Sequence, residues 1–227
     1  VQIKVFDLQA QKTVLADVGS ETDQYIPRIK WTEDATKLCV FRMNRHQDHL
    51  DMLLVNAADG KSSPIYTEDN KAYIEIDDDL SFLPDGHSMI VRSERNGYSH
   101  LYMWDWDKKA LTDLTEGNYD VDALTGVDMP RKLLYYTVAN PTPMQRKLCV
   151  VDWKGKNRKV LTPEDGLHII TPCEGYNYFL DRYSQLNKVA VYSLRNAKGA
   201  IVRTLEENKA LQEKMSEYAL GNTRMTT

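Results

Sequence analysis

Residues 37–67 read KLCVFRMNRHQDHLDMLLVNAADGKSSPIYT, and this stretch decides the fold class. It contains three short apolar runs, KLCVFRMN, DMLLVNAADGK and SPIYT, which are separated by polar and turn-forming residues. Apolar runs bounded by Asp, Asn, Gly or Pro are typical of neighbouring β-strands. The stretch therefore predicts consecutive strands of one antiparallel sheet, with a hairpin around His46 and a tight turn at Gly60.

The same pattern recurs along the chain. Strands equivalent to KLCVFRMN begin at Lys37, His87, Arg131 and Tyr176. Successive starts are 50, 44 and 45 residues apart, and closing strands end at Thr67, Thr115 and Thr162. A four-stranded unit with this period is typical of a β-propeller blade, whereas a β-sandwich does not explain the long period. We expect an all-β fold with about four four-stranded antiparallel blades, preceded by an N-terminal strand pair.

The C-terminal residues depart from the strand pattern. Leu211, Met215 and Ala219 are spaced four residues apart, Glu206 and Glu207 suit a helix start, and Gly221 suits a helix end. The sequence predicts an exit helix over about residues 206–220. The chain starts without Met in a strand-like pattern, and its last residues read as an unfinished connection, so we expect a piece of a longer protein.

Composition excludes several classes of protein. Of the 227 residues, 42% are hydrophobic and 27% are charged, which is typical of a globular chain and not of a disordered one. The net charge of −4 argues against a nucleic-acid-binding surface. No apolar run is long enough for a membrane-spanning helix, and the N-terminal residues do not resemble a signal peptide. Cys39, Cys149 and Cys173 are too scattered for a disulfide framework or a zinc site; a Cys149–Cys173 bridge remains the less favoured alternative.

Few residues suggest chemistry. His46, His49 and Asp51 form the one local cluster of metal-ligand types, but their place in a hairpin favours a polar loop. His100 is expected to be a hydrogen-bonded structural residue, and His87 and His168 carry no sign of a partner. The sequence contains no G-x-S-x-G elbow and no phosphate or dinucleotide loop, so we expect no catalytic residues, no metal and no cofactor.

The acidic run Asp77–Asp79 is the remaining candidate. Three adjacent carboxylates repel one another and need solvent, a cation or a cationic partner. A solvated loop is the simpler interpretation. The alternative is that Asp77 and Asp78 lie at the rim of the propeller channel.

Residues 93–121, SERNGYSHLYMWDWDKKALTDLTEGNYDV, resemble the propeller of dipeptidyl-peptidase-IV-like serine peptidases in the prolyl-oligopeptidase clan. The matching pattern is Gly-aromatic, x-His-Leu-Tyr, then Leu-Thr-x-Gly-x-aromatic-x-Val. It is carried by Gly97, Tyr98, His100, Leu101, Tyr102, Leu114, Thr115, Gly117, Tyr119 and Val121. The stretch from Met43 resembles the preceding blade, and FLDRYSQLNKVAVYSLRNAKG from Phe179 resembles the last blade before the hydrolase.

The resemblance implies a place within a larger enzyme. It implies the C-terminal half of an eight-bladed propeller at 1–205, and an exit helix and linker at 206–227 that lead to an α/β-hydrolase domain. The family's catalytic Ser, Asp and His would follow Thr227, and its amine-binding glutamates would precede Val1. Glu206–Glu207 lies in the exit segment and is not that pair. The family's aromatic–Arg substrate contact is replaced here by Ile76-Asp77-Asp78, so it is not carried over.

The function that the resemblance implies is non-catalytic. The fragment would form the wall and access channel of a chamber in which the parent removes N-terminal dipeptides with Pro or Ala at the second position. Expected partners are peptide substrates, the hydrolase domain, the remaining blades and a second copy of the chain, with no nucleic acid. The family implies a periplasmic, cell-surface or secreted bacterial protein. The alternatives are a stand-alone propeller that binds a protein or ligand, and a small-molecule enzyme built on a propeller.

Overall fold

The computed structural model describes residues 2–76, 78–221 and 223. Those residues form four sheets of four or five strands and a two-stranded hairpin, which confirms the all-β prediction and its blades. The chain divides into two compact units, residues 1–96 with 103–111, and residues 97–102 with 112–227. None of the helices in the described part is long and apolar enough to cross a membrane.

The first unit begins with the predicted strand pair. The hairpin consists of β1 (Lys4–Asp7) and β2 (Lys12–Leu15), which are antiparallel. The next sheet contains β3 (Gln24–Tyr25), β4 (Ile29–Trp31), β5 (Lys37–Asn44), β6 (His49–Asn56) and β7 (Ser62–Asp69). Both β3 and β4 pair with β5, and Pro27 lies between them. Because proline has no N–H to donate, it interrupts this edge strand and splits it in two.

The following sheet has the order β11-β10-β9-β8. Its strands are β8 (Ser81–Phe82), β9 (Ser88–Ser93), β10 (His100–Asp105) and β11 (Ala110–Asp113). The Pro84-Asp85-Gly86 segment turns β8 into β9, and Asp85 Oδ1 accepts hydrogen bonds from the backbone N–H groups of His87 and Ser88. An Asp side chain that satisfies the backbone in this way is a common reason for its place in tight turns.

The second unit holds two further sheets. One runs β12 (Asp120–Asp128), β13 (Leu133–Ala139), β14 (Lys147–Asp152) and β15 (Lys159–Val160). The other runs β16 (Leu167–Pro172), β17 (Tyr178–Ser184), β18 (Val191–Asn196) and β19 (Ile201–Glu206). Within each sheet, strands that follow one another in sequence pair antiparallel. This is the connectivity expected of consecutive hairpins.

The core consists of side chains from facing sheets. In the second unit, Tyr135, Leu148, Leu161 and Phe179 are almost fully buried in one cluster. Phe179 comes from the last sheet and the others come from the sheet before it or from the residue just after its final strand. Complete burial of side chains of this size stabilises a fold by about 1.5–3 kcal/mol each, so adjacent blades depend on one another.

Three glycines, each in the last hairpin turn of its sheet, lie against the main chain of the sheet or hairpin that comes before it in the sequence. Gly60, Gly155 and Gly199 have φ angles of +75°, +71° and +86°. A Cβ at Gly60 would lie 2.0 Å from the carbonyl oxygen of Leu15, and one at Gly199 would lie 2.1 Å from that of Leu161. Glycine is required here both by the left-handed backbone and by the close approach of another main chain.

The exit helix is present, but the predicted limits are wrong. Helix α1 spans Lys209–Ser216, which is shorter than the predicted 206–220. Glu206 pairs with Tyr192 as the last residue of β19, and Asn208, at φ +54°, takes the N-cap position. Pairing with a neighbouring strand therefore outweighs the local preference of Glu206 for a helix start. The division of the chain at 205/206 remains a prediction.

The cysteines are free, as the favoured interpretation predicts. Cys39 and Cys149 are buried in strands and Cys173 is exposed. Burial raises the pKa of the Cys39 thiol to about 12 and that of Cys149 to about 11. Both therefore behave as small apolar side chains.

Candidate functional site

The predicted acidic rim is balanced by arginines of the same unit. Asp77 lies outside the described residues. Asp78, whose side chain is 82% exposed, accepts a hydrogen bond from Arg28 Nε at 2.8 Å. Asp79 is mostly buried, and its Oδ2 lies 3.4 Å from Nη1 of Arg92. The two described carboxylates therefore find cationic partners within the protein, and a channel-rim role for Asp77 and Asp78 remains a prediction.

An apolar groove of about 390 Å³ lies in the same unit. It is lined by Gln24, Tyr25, Ile26, Pro27, Met43, Gln47, Tyr73 and Ile76. The side chains of Tyr25 and Tyr73 are well exposed, and Arg45 stacks over the Tyr25 ring at 6.0 Å. Exposed tyrosines beside a proline and two amides suit an uncharged group such as an extended peptide segment.

Of the predicted cluster, His49 and Asp51 join a network of ion pairs, whereas His46 is exposed in the turn before them. His49 Nδ1 lies 2.6 Å from Asp69 Oδ1, and its Nε2 lies 3.3 Å from Asp51 Oδ2. The hydrogen bond with Asp69 raises the pKa of His49. Burial acts to raise the pKa of Asp51, but hydrogen bonds from Arg42 and Thr67 outweigh it and hold that pKa below its ordinary value. Within residues 2–76, 78–221 and 223, no group of three or more His, Cys, Asp or Glu could hold a metal ion.

His100 has the structural role that the sequence predicts. It is 2% exposed, its Nδ1 lies 3.2 Å from Thr115 Oγ1, and its Nε2 lies 2.9 Å from the carbonyl oxygen of Gly117. The Tyr119 ring packs edge-on against it. The residues of the His-Leu-Tyr and Leu-Thr-x-Gly motifs thus bind one another inside the second unit.

His168 has a buried acidic partner that the sequence analysis missed. Its Nδ1 lies 3.0 Å from both oxygens of Asp181, and both side chains are 0% exposed. Arg195, 4% exposed, donates to Asp181 Oδ2 at 2.7 Å and to Glu164 Oε1 at 3.0 Å. Side chains alternate along β17, so Asp181 points inward together with Phe179. Because a buried carboxylate needs a partner, the inward position of Asp181 in the strand pattern could have predicted this contact.

A second buried network lies in the first unit. Glu68 accepts hydrogen bonds from Tyr66 at 2.5 Å and from Ser93, and Arg95 donates to the Tyr66 hydroxyl. Burial raises the pKa of Tyr66 well above its ordinary value. Glu68 and Arg95 are 27 residues apart in the sequence, so no short motif indicates this network.

Ser88, His87 and Asp85 lie together but do not have the geometry of a catalytic triad. Ser88 Oγ lies 3.3 Å from His87 Nδ1, and the same nitrogen lies 3.8 Å from Asp85 and 3.5 Å from Asp105. A triad needs the acid on one imidazole nitrogen and the nucleophile on the other. Ser88 is also buried within its strand. This arrangement can order the turn before β9, but it cannot activate the hydroxyl.

A cavity of about 510 Å³ lies in the second unit beside the Arg195 network. Its walls include Tyr183, Val189, Val191 and Ile201, together with residues of both charge signs. Tyr183 stacks on His168 and donates from its hydroxyl to the carbonyl oxygen of Asp165 at 2.7 Å. The arrangement can accommodate a small group.

Comparison with known proteins assigns the family. The family model for the dipeptidyl peptidase IV (DPP IV) N-terminal region matches residues 1–189. The chain is 27% identical to a probable dipeptidyl-aminopeptidase B of Uncinocarpus reesii, over 97% of this chain and 26% of that protein. It is 25% identical to a probable dipeptidyl peptidase 4 of Emericella nidulans, over 92% of this chain and 29% of that protein.

A solved structure gives the same result. The crystal structure of Porphyromonas gingivalis dipeptidyl peptidase 4 superimposes with a TM-score of 0.90 and 29% identity, covering 99% of this chain and 32% of that one. The chain thus spans about a quarter to a third of the length of these relatives. From the match over residues 1–189 and the agreement in fold, the chain belongs to the family of dipeptidyl peptidase IV N-terminal regions.

Proposed function

We propose that this chain is the non-catalytic propeller part of a serine dipeptidyl peptidase, and that it forms part of the wall and entrance of the substrate chamber. The main support is the agreement in fold over 99% of the chain with one third of Porphyromonas gingivalis dipeptidyl peptidase 4. The parent enzyme would remove N-terminal dipeptides with Pro or Ala at the second position. Its other partners would be the hydrolase domain and the remaining blades, and it would act in the periplasm, at the cell surface or outside the cell.

The described residues support a role in binding and enclosure. The groove at Tyr25 and Tyr73 offers aromatic surface to a peptide, and the buried hydrogen bond from Ser93 to Glu68 ties the sheet that carries the groove to the next sheet. A covered site restricts water and positions a short substrate. The same groove favours a second candidate, a stand-alone propeller that binds a peptide or protein.

The decisive experiment uses the open reading frame that contains this chain. Under the proposal, the full product carries a G-x-S-x-G sequence after Thr227 and hydrolyses a Gly-Pro anilide, with loss of activity on titration by a serine-directed inhibitor. The 227-residue chain alone should show no turnover. A stop codon directly after Thr227 would support the stand-alone binding module instead. Inhibitor-sensitive turnover by the 227-residue chain would show that the reactive residues lie within it.

We also expect the isolated chain to self-associate through exposed apolar surface in the segments nearest its two ends. Phe6, Leu8 and Leu15 are 51–78% exposed in the first hairpin, and Ile201 and Val202 are 49–50% exposed on β19. Uncovered apolar faces and strand edges favour association. Light scattering coupled to gel filtration should detect a species larger than a monomer.

Two valines provide a matched pair for this test. Val202 and Val160 are both 50% exposed, and each lies on the last strand of its sheet. Val202→Lys should shift the equilibrium towards the monomer, whereas Val160→Lys should leave it unchanged. A monomeric wild-type chain at micromolar concentration would contradict the expectation.

A further inference from the structure

The segment that follows β7, residues 70–76, forms one side of the apolar groove of about 390 Å³. Two backbone hydrogen bonds fasten this segment to the hairpin between β5 and β6. The N–H of Asn70 donates to the carbonyl oxygen of Asp48, and the N–H of Ile74 donates to that of Gln47, each at 2.9 Å. The shape of the groove on this side therefore depends on how firmly the first residues of the segment are held.

An ion pair lies directly before this segment. His49 and Asp69 face each other across β6 and β7, and His49 Nδ1 lies 2.6 Å from Asp69 Oδ1. The other ring nitrogen, Nε2, lies 3.3 Å from Asp51 Oδ2. Because an ionised carboxylate only accepts hydrogen bonds, the imidazole can donate to both partners only when both of its nitrogens carry a proton. The geometry therefore fits the imidazolium form of His49.

The charges around His49 favour the same form. Asp51 lies on its own strand and Asp69 on β7, while the guanidinium of Arg42 on β5 lies 2.7 Å from Asp51 Oδ2. Two carboxylates thus face one guanidinium, and an imidazolium balances the local charge. The hydrogen bond with Asp69 raises the pKa of His49, although partial burial of the ring acts to lower it.

Resting on the function proposed for the groove, we propose that the proton on His49 fastens residues 70–76 and thereby regulates peptide binding. The charged hydrogen bond holds Asp69, the last residue of β7, and the segment begins with the next residue. Without the proton, one ring nitrogen has no hydrogen to donate, so one of the two carboxylates loses its partner. This stabilisation is complete below pH 6.5, the ordinary pKa of histidine, and is lost as the pH rises through the raised pKa of His49.

The test is amide hydrogen exchange of the 227-residue chain in mildly acidic and mildly alkaline buffers. Each exchange rate is divided by the rate of an unstructured peptide at the same pH, which gives a protection factor. The protection factors of the Asn70 and Ile74 amides should fall about two- to five-fold in the alkaline buffer, the effect expected of an ion pair that is partly exposed. Equal protection in the two buffers would overturn the proposal.

Variants of two neighbouring histidines identify the group responsible. His49→Gln should remove the pH dependence, because glutamine does not titrate in this range. His46→Gln is the matched control: His46 is exposed in the same hairpin and forms no ion pair with the described residues, so the pH dependence should persist. The side chains of His49 and Asp69 are 39% and 75% exposed, so replacing either leaves the core intact.

Replacement of the acidic partner completes the test. Asp69→Asn keeps the size of the side chain but removes its charge, and it should flatten the pH dependence as His49→Gln does. A fall in protection of the same size in His49→Gln and in the unaltered chain would show that another group titrates and that the proposal is wrong. Because the exchange measurement uses no peptide, failure of the His49–Asp69 ion pair to control the segment is distinguished from failure of the groove to bind a peptide.

Discussion

Replacing Asp181 by alanine should lower the free energy of unfolding by about 3–5 kcal/mol, the range for removing one partner of a buried ion pair. Asp181 is 0% exposed and accepts from Arg195, whose side chain is 4% exposed, at 2.7 Å. It is also the partner of His168 at 3.0 Å. Without the carboxylate, the buried guanidinium of Arg195 keeps Glu164 as a counter-charge, and the His168 imidazole loses its contact at Nδ1 while its Nε2 still lies 3.2 Å from the carbonyl oxygen of Glu164. Urea denaturation followed by circular dichroism measures the loss.

A surface ion pair is the matched control for Asp181→Ala. Glu217 accepts a hydrogen bond from Lys214 at 2.6 Å, but both side chains are more than 60% exposed. Glu217→Ala should change the free energy of unfolding by less than about 1 kcal/mol, because solvent screens such pairs. If Asp181→Ala costs no more than Glu217→Ala, water reaches Arg195 and the network is not a stabilising part of the last sheet.

Gly60→Ala should destabilise the chain by about 3 kcal/mol or more, combining left-handed backbone strain with overpacking. The added Cβ would lie 2.0 Å from the carbonyl oxygen of Leu15, far inside van der Waals contact. That oxygen belongs to the main chain, so a side-chain rotation cannot relieve the contact. The turn that carries Gly60 would have to move away from β2. This movement would break the 2.8 Å hydrogen bond that the backbone N–H of Asp17 donates to the carbonyl oxygen of Gly60.

Gly86→Ala separates the two causes. Gly86 has almost the same φ, +78°, but a Cβ there meets nothing within 4 Å. Gly86→Ala should therefore lower the free energy of unfolding only by the cost of the left-handed backbone, about 1 kcal/mol. Chemical denaturation of both variants gives the difference. Equal losses for the two glycines would show that backbone conformation alone accounts for the effect and that the close approach to Leu15 is tolerated.

The blades could be predicted because their signals are local. Alternating apolar residues identify strands, and turns such as Asp59-Gly60 and Pro84-Asp85-Gly86 separate them, so the repeat period is visible in the residues themselves. The same local reasoning placed the start of the exit helix at Glu206. It was wrong there, because pairing of Glu206 with Tyr192 in the neighbouring strand decides the conformation.

The contacts around the candidate sites could be predicted only in part. The structural role of His100 follows from its place in an apolar strand. His168 showed no partner in sequence because Asp181 lies on the next strand, and the register of β16 with β17 brings the two together. In the same way, Arg28 donates to Asp78 although the two are 50 residues apart in sequence, so the acidic run alone could not reveal this partner.

The residues alone established the fold class, the repeat of four-stranded units and the resemblance to dipeptidyl peptidase IV-like propellers, whereas the free state of the three cysteines came from the structure. The first three properties depend on residue type, residue order and short-range spacing, all of which can be read before the chain folds. The tertiary structure alone decided which charges are paired, which glycines meet another main chain, where β19 gives way to the helix, and where the groove at Tyr25 and Tyr73 lies. The physical reason is that burial and hydrogen-bond partners depend on strands brought together across many residues, and their register is set by the packing of the whole sheet.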